Sequence, residues 1–152
     1  RSSLSAVARV SPTTILEDTT VPRSRLAETF AEIERLKDEH DIRVATFGHA
    51  GAGNLHPTAL TDERNREEVA RVHAFFSDLY EKVLSAGGTV SGEHGIGIAK
   101  KNYLLRQFGE GGMGVMRRIK DAFDPGGRLN PGKIFPNAPS PVGIPSPGGF
   151  HD

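Results

Sequence analysis

Two segments of this sequence combine histidine, glutamate and glycine in patterns that can do chemistry. The first, residues 48–57, carries His49 and His56 around a run of glycines. We expect a hairpin that turns on Ala52 and Gly53, which would place His49 opposite His56. Opposed residues of an antiparallel pair have Cβ atoms about 4.5–5.5 Å apart, and two imidazoles at that separation can chelate one metal ion. The alternative is a glycine-rich hairpin with two incidental histidines.

The second segment, residues 91–97, reads Ser-Gly-Glu-His-Gly-Ile-Gly. In extended backbone Glu93 and His94 would point to opposite sides, so one could ligate a metal while the other points away toward an open cleft. Together with the first segment, Glu93 completes a His-His-Glu set with open positions, which is typical of a catalytic metal site. The alternative is a loop at the start of a helix with a solvated Glu-His pair.

A third segment, residues 123–134, contains two turn signals, Asp-Pro-Gly-Gly and Asn-Pro-Gly. Two such turns could present Asn130 and Lys133 to a neighbouring group. A simple chain reversal after the last helix explains the same composition.

The periodicity of the apolar residues predicts the elements that must position these segments. It indicates strands at residues 14–21, 42–47, 54–60 and 89–91, with a further short strand at 4–10. It indicates helices from Pro22 to His40, from a cap at Thr61 or Asp62 to Gly87, and at 97–108 and 113–123. The order β-α-β-β-α-β followed by two helices predicts an α+β fold of the ferredoxin-like, split βαβ kind, an antiparallel sheet with helices on one face.

Composition excludes several classes of protein. Nineteen basic and nineteen acidic residues give a net charge of zero, so we expect no nucleic-acid partner. No apolar run approaches 18 residues, so we expect no transmembrane helix. The absence of cysteine excludes disulfides and thiolate catalysis, and it fits a reducing compartment.

The 152 residues begin with Arg1, and we expect a piece of a longer protein: one domain over 1–135 and an extended or disordered Pro/Gly-rich tail over 136–152.

Four motifs in this order resemble the C-terminal domain of FAD-linked oxidases of the vanillyl-alcohol-oxidase type, in particular the branch that contains the bacterial glycolate oxidases and the D-lactate dehydrogenases. They occupy residues 17–25, 48–57, 91–97 and 124–133. The resemblance implies FAD as cofactor, held mostly by an N-terminal FAD-binding domain of the same protein. It implies a small 2-hydroxy acid as substrate, and a homodimer or other oxidase subunits as further partners.

The resemblance also implies roles for single residues. His49, His56 and Glu93 would bind a divalent metal, which would be zinc, manganese or iron, and His94 would serve as the catalytic base. Asn54 would contact the substrate and Asn130 the flavin cofactor.

Two positions depart from the family pattern. Ala52 stands where the family usually has Asp, which removes a hydrogen bond that would support the turn. Leu16 stands near the place of a Lys found in relatives that oxidise 2-hydroxyglutarate, which argues against a second carboxylate in the substrate.

The implied reaction is oxidation of a D-2-hydroxy acid, glycolate or D-lactate in class, to the 2-oxo acid, with imidazole as base and a flavin as hydride acceptor. Two other functions use the same residues: a stand-alone metal-dependent hydrolase and a non-catalytic interaction domain. We expect a cytoplasmic protein, either free or peripheral at the inner face of the membrane. We expect the isolated chain to bind no FAD tightly.

Overall fold

The computed structural model describes residues 2–135 and divides into two compact units, one ending at His94 and the other beginning at Gly95. Along the first unit the elements are α1 (Ser2–Val7), β1 (Thr13–Leu16), β2 (Thr19–Thr20), α2 (Leu26–Glu39), β3 (Arg43–His49), β4 (Asn54–Thr61) and α3 (Arg66–Ser85). The second unit contains α4 (Lys101–Phe123). Within residues 2–135 no helix is both long enough and apolar enough to cross a membrane.

Strand β4 organises an antiparallel sheet. It pairs with β3 along one edge and with β1 and β2 along the other, and Thr20 of β2 also bridges Thr89. All eight residues of β4 are buried, as expected for a strand with neighbours on both edges. The spatial order β3, β4, β1 with β2, then Thr89 is that of the ferredoxin-like split βαβ fold. The predicted α+β class is confirmed.

Two amphipathic helices supply more than half of the buried apolar residues of the first unit. Helix α2 buries Ile33 and Leu36, and α3 packs against α2, β2 and β4. The buried residues of α3 recur at helical spacing, which places them on one face of that helix: they are Val72, Phe75, Phe76, Leu79, Tyr80 and Val83. The N-terminus of α3 is capped by Asn65, whose side chain accepts the Glu68 N–H at 3.2 Å. The predicted cap at Thr61 or Asp62 is therefore wrong, because β4 continues through Thr61.

Three strand predictions need correction. The segment predicted as a strand at 4–10 begins within α1. The predicted strand 14–21 is two short strands, β1 and β2, separated at Glu17 and Asp18. Residues 89–91 contribute an isolated bridge at Thr89 and no continuous strand, since the chain leaves the sheet to form the loop that carries Glu93.

The β3–β4 connection is longer than the predicted two-residue turn. A 3₁₀ turn at Ala50–Ala52 is followed by Gly53 in the left-handed conformation, with φ of 70°. The register therefore pairs His49 with Asn54 and Phe47 with His56, not His49 with His56. A Cβ at Gly53 would lie 2.1 Å from the Val21 carbonyl oxygen, so both the space and the backbone conformation require glycine there.

We expect Gly53→Ala to destabilise the protein by more than the roughly 1–3 kcal/mol of a strained backbone conformation alone, because the methyl group also collides with Val21. Urea unfolding followed by circular dichroism measures the loss. Gly51→Ala is the matched control, since a Cβ at Gly51 meets no atom within 4 Å. Equal midpoints for the two variants would contradict this explanation of the turn.

The second unit is built around α4, which breaks at Gly109, where φ is 62°. The two predicted helices, 97–108 and 113–123, thus correspond to two helical segments on either side of this break. Leu104, Met113 and Phe135 form a small buried cluster. After α4 the Asp124 carboxylate accepts the backbone N–H groups of Arg128 and Leu129, at 2.9 and 2.8 Å, and closes the turn. The predicted tail, residues 136–152, lies outside the described residues.

The Asp124 carboxylate should make part of the stability dependent on acidic pH. The Lys120 ammonium and these backbone N–H groups lower its pKa from the ordinary 3.8 to about 2. A pKa that is lower in the folded state stabilises the fold above the unfolded value and loses that effect as the pH falls through the folded value. We expect the stability difference between the unmodified chain and Asp124→Asn to be full above about pH 4 and to vanish near pH 2 in urea titrations. A difference independent of pH would contradict this.

Candidate metal site

Three predicted ligands from distant parts of the sequence lie together in the first unit. Ligand atoms of His49, His56 and Glu93 all lie within 4.8 Å of one another. His49 ends β3, His56 lies in β4, and Glu93 belongs to the loop that follows α3. The structure thus brings these three residues to one place, and their role as metal ligands remains a prediction.

The observed register explains how the two histidines meet. His49 is directly opposite Asn54, and His56 is two residues further along β4, so all three side chains share one face of the sheet. His49 and His56 are diagonal neighbours, within reach of long side chains, and their ring centroids are 5.3 Å apart. The predicted direct opposition was wrong, but the longer turn keeps both histidines on the same face.

One carboxylate oxygen, Oε1 of Glu93, is at the centre of the group. It lies 2.9 Å from Nε2 of His56, 3.6 Å from Nε2 of His49 and 4.0 Å from Nε2 of His94. The His56 side chain is 8% exposed, whereas those of His49 and Glu93 are 65% and 49% exposed. The His56 imidazole is therefore the buried part of the cluster, and His49 and Glu93 are the part that is open to solvent.

The donor set, and two of the three separations between its ligand atoms, suit a divalent cation. Two ligand atoms that are each about 2.1 Å from a zinc ion, at tetrahedral angles, lie about 3.4 Å apart. The separations of Glu93 from His56 and His49, 2.9 and 3.6 Å, are close to that spacing. Two imidazoles and a carboxylate suit zinc, manganese or iron, and three protein ligands leave positions open for substrate.

His94 does not point away from the cluster as alternation predicts. Its ring stacks on that of His56, with centroids 5.0 Å apart and planes inclined by 16°. Residues 91–94 form a bent loop, so the alternation of side chains in extended backbone does not apply. His94 therefore lies beside Glu93 and against the His56 ring, and its role as base remains a prediction.

Asn54 is a buried residue in contact with the Glu93 carboxylate. It is 5% exposed, and its Nδ2 donates to Glu93 Oε1 at 3.4 Å. Its Oδ1 is buried without a hydrogen-bond partner among residues 2–135, and a buried acceptor of this kind is uncommon unless a further group binds there. Asn54 thus supports the carboxylate from inside the protein, and its predicted contact with substrate stays a prediction.

Asp18 was not among the residues predicted from the sequence, and it has no exposed surface. Its Oδ2 accepts the backbone N–H groups of Gly92, Glu93 and His94 at 3.0, 2.7 and 2.8 Å, and the Ser91 hydroxyl at 3.3 Å. In the sequence, Asp18 is an acidic residue within a run of β-branched residues. Such a residue ordinarily indicates a solvated surface position, so the sequence did not mark Asp18 as a member of the site.

Three other residues that the sequence singled out are not members of the cluster. Ala52 is exposed, and the turn is closed by a hydrogen bond from Gly53 N–H to the Ala50 carbonyl at 3.1 Å, so it forms without an Asp at position 52. Leu16 ends β1 and is exposed. Asn130 is exposed in a turn of the second unit with φ of 48°, a conformation that Asn tolerates well. Its contact with a flavin stays a prediction.

Comparison with known proteins agrees with the resemblance. The chain is 51% identical over 135 residues to "Glycolate oxidase subunit GlcD" of Bacillus subtilis, covering 89% of this chain and 29% of that protein. It is 40% identical over 136 residues to the protein of the same name from Escherichia coli K12, with 90% and 27% covered. It is 42% identical over 118 residues to "D-lactate dehydrogenase" of Anaerostipes hadrus, with 77% and 25% covered.

These curated relatives are much longer than this chain, which spans between a quarter and three tenths of their length. Residues 1–134 match the family described as "FAD linked oxidases, C-terminal domain". A match over that much of the chain shows that it belongs to the FAD-linked oxidases, as their C-terminal domain.

Proposed function

We propose that this chain is the substrate- and metal-binding part of a flavin-dependent enzyme that oxidises a small D-2-hydroxy acid, glycolate or D-lactate in class, to the 2-oxo acid. The observation that carries the proposal is the convergence of His49, His56 and Glu93, with His94 stacked on His56. The names of the relatives, which include a glycolate oxidase and a D-lactate dehydrogenase, supply the substrate class.

Different residues of this chain would bind the metal and accept the proton. His49, His56 and Glu93 would hold a divalent cation, which when bound would supply a Lewis acid for the carboxylate and hydroxyl oxygens of the substrate. The oxidation releases a proton from the hydroxyl and a hydride from the α-carbon. Nε2 of His94, on a side chain that is 37% exposed, would accept the proton, because a neutral imidazole is a suitable base near pH 7.

The hydride needs an acceptor that no side chain of this chain provides. A bound FAD would supply it, and we propose that an N-terminal FAD-binding domain of the same protein holds most of the cofactor, with Asn130 as a contact. We also propose that the whole protein forms a homodimer or binds other oxidase subunits. We further propose that it is located in the cytoplasm, either free or peripheral at the inner face of the membrane, and cell fractionation tests this location.

A chimera tests the activity directly. This chain replaces the matching C-terminal segment of the 51% identical Bacillus subtilis relative, and the purified flavoprotein is assayed with an artificial electron acceptor and glycolate, D-lactate, L-lactate or D-2-hydroxyglutarate. We expect turnover of glycolate or D-lactate and little with the substrate that carries a second carboxylate.

The chain alone is the control for the chimera. The 152-residue chain alone should show neither tightly bound flavin nor oxidase activity. A folded, flavin-loaded chimera with no activity on any 2-hydroxy acid would contradict the proposal. Zinc-dependent cleavage of a nitrophenyl ester by the chain alone would favour the hydrolase instead.

A further inference from the structure

Asp18 is a fully buried carboxylate that contacts the loop carrying Glu93. Asp18 lies between β1 and β2 and has 0% exposed surface. Burial of an ionised carboxylate is costly unless strong hydrogen bonds compensate. Asp18 has such hydrogen bonds, because its Oδ2 accepts four donors from residues 91–94 at distances of 2.7 to 3.3 Å.

Three of the donors are consecutive backbone N–H groups, those of Gly92, Glu93 and His94. Successive N–H groups that converge on one point form a concave anion site. In this protein the anion is the carboxylate of Asp18, more than 70 residues away in the sequence. Hydrogen bonds to an ionised acceptor are about twice as strong as neutral ones, so this contact can fix the path of a loop that leaves the sheet after Thr89.

The loop is also packed tightly on the sheet at the same place. A Cβ on Gly92 would lie 2.2 Å from Thr20 Oγ1 and 3.0 Å from Asn54 Nδ2. The backbone at Gly92 therefore sits directly against β2 and β4, and Asp18 holds it there. The next residue is Glu93, whose side chain reaches the histidines.

We propose that Asp18 is a positioning residue for the metal site: it fixes the backbone of residues 91–94 so that Glu93 reaches His49 and His56. Asp18 acts through the backbone and touches neither metal nor substrate. The part of this inference that concerns metal binding rests on the proposed function, and the part that concerns the loop does not.

The experiment uses the 152-residue chain with Co²⁺ as probe. Binding is measured by isothermal titration for the unmodified chain, Asp18→Asn and the control Asp124→Asn. Asp18→Asn keeps the shape and one neutral acceptor but loses the charge. Asp124 is a matched control, because it is also a buried carboxylate that accepts backbone N–H groups, those of Arg128 and Leu129.

We expect Asp18→Asn to weaken Co²⁺ binding by about 10–100-fold, the usual effect of losing a partner that orients a ligand. Asp124→Asn should lower the unfolding midpoint and leave Co²⁺ affinity unchanged. If Asp18→Asn remains folded and binds Co²⁺ as the unmodified chain does, the inference is wrong.

A second measurement needs no variant and no metal. In the metal-free unmodified chain, the amide protons of Gly92, Glu93 and His94 should exchange with solvent much more slowly than the same amides do in an unstructured peptide of residues 88–98. Exchange at the peptide's rate would overturn the inference even if Asp18→Asn failed to fold. If the unmodified chain binds no Co²⁺, the proposed metal site fails, and hydrogen exchange still tests whether the amides that Asp18 accepts are hydrogen-bonded in the folded chain.

Discussion

Substitution of His56 by alanine is expected to abolish tight binding of a divalent cation by this chain. His56 is the buried member of the cluster, and its Nε2 lies 2.9 Å from the Glu93 carboxylate, nearer than that of His49 or His94. Structural four-ligand zinc sites are worth roughly 10–16 kcal/mol, so one ligand contributes about 2.5–4 kcal/mol and its loss costs about 10²–10³-fold in affinity. Isothermal titration with Zn²⁺ measures the change.

His73→Ala is the control for this substitution. His73 is an exposed histidine of α3 and lies outside the cluster. The variant should retain the affinity of the unmodified chain. Zn²⁺ binding that is equally strong in His56→Ala, with the fold intact by circular dichroism, would show that the metal binds elsewhere.

The second large effect concerns His94. In the flavin-containing chimera, His94→Ala should lower turnover of a D-2-hydroxy acid by about 10²–10⁴-fold, the usual range for loss of a general base. The imidazole stacks on His56 and is 37% exposed, so it can reach a substrate hydroxyl from the solvent side. Steady-state kinetics at saturating substrate measures the effect.

Metal content separates this role from that of a ligand. His94→Ala should retain one equivalent of metal, whereas His49→Ala should lose it, because Nε2 of His49 lies nearer to the Glu93 carboxylate than Nε2 of His94 does, at 3.6 against 4.0 Å. Unimpaired turnover in His94→Ala would mean that His94 only packs on His56. Loss of metal in that variant would identify it as a ligand.

The fold class and the members of the cluster could be predicted from the sequence, because both depend on local patterns. Apolar residues at helical spacing located α2 and α3, and glycine-flanked histidines and glutamate marked the two segments that meet. The register of the hairpin did not follow from the sequence. Gly51, Ala52 and Gly53 are compatible with several turns, and the choice depends on the contact of Gly53 with Val21.

The orientation of His94 was also beyond local patterns. A rule for extended backbone cannot describe a loop that bends around the carboxylate of Asp18. Asp18 itself could not be identified because its partners lie more than 70 residues further along the chain, and sequence spacing carries no information about such a contact. The misjudged orientation of His94 and the missed role of Asp18 thus have one physical cause, the long-range hydrogen bonds between Asp18 and residues 91–94.

His49, His56 and Glu93 together should bind one divalent cation, and the proposed function depends on this site. The most direct measurement is an anomalous difference map at the zinc absorption edge from crystals of the chain grown with Zn²⁺. We expect one strong peak, about 2.0–2.2 Å from Nε2 of both histidines and from a carboxylate oxygen of Glu93. A map from such crystals with no peak among these three side chains, or with a peak bound by other residues, would contradict the proposed site.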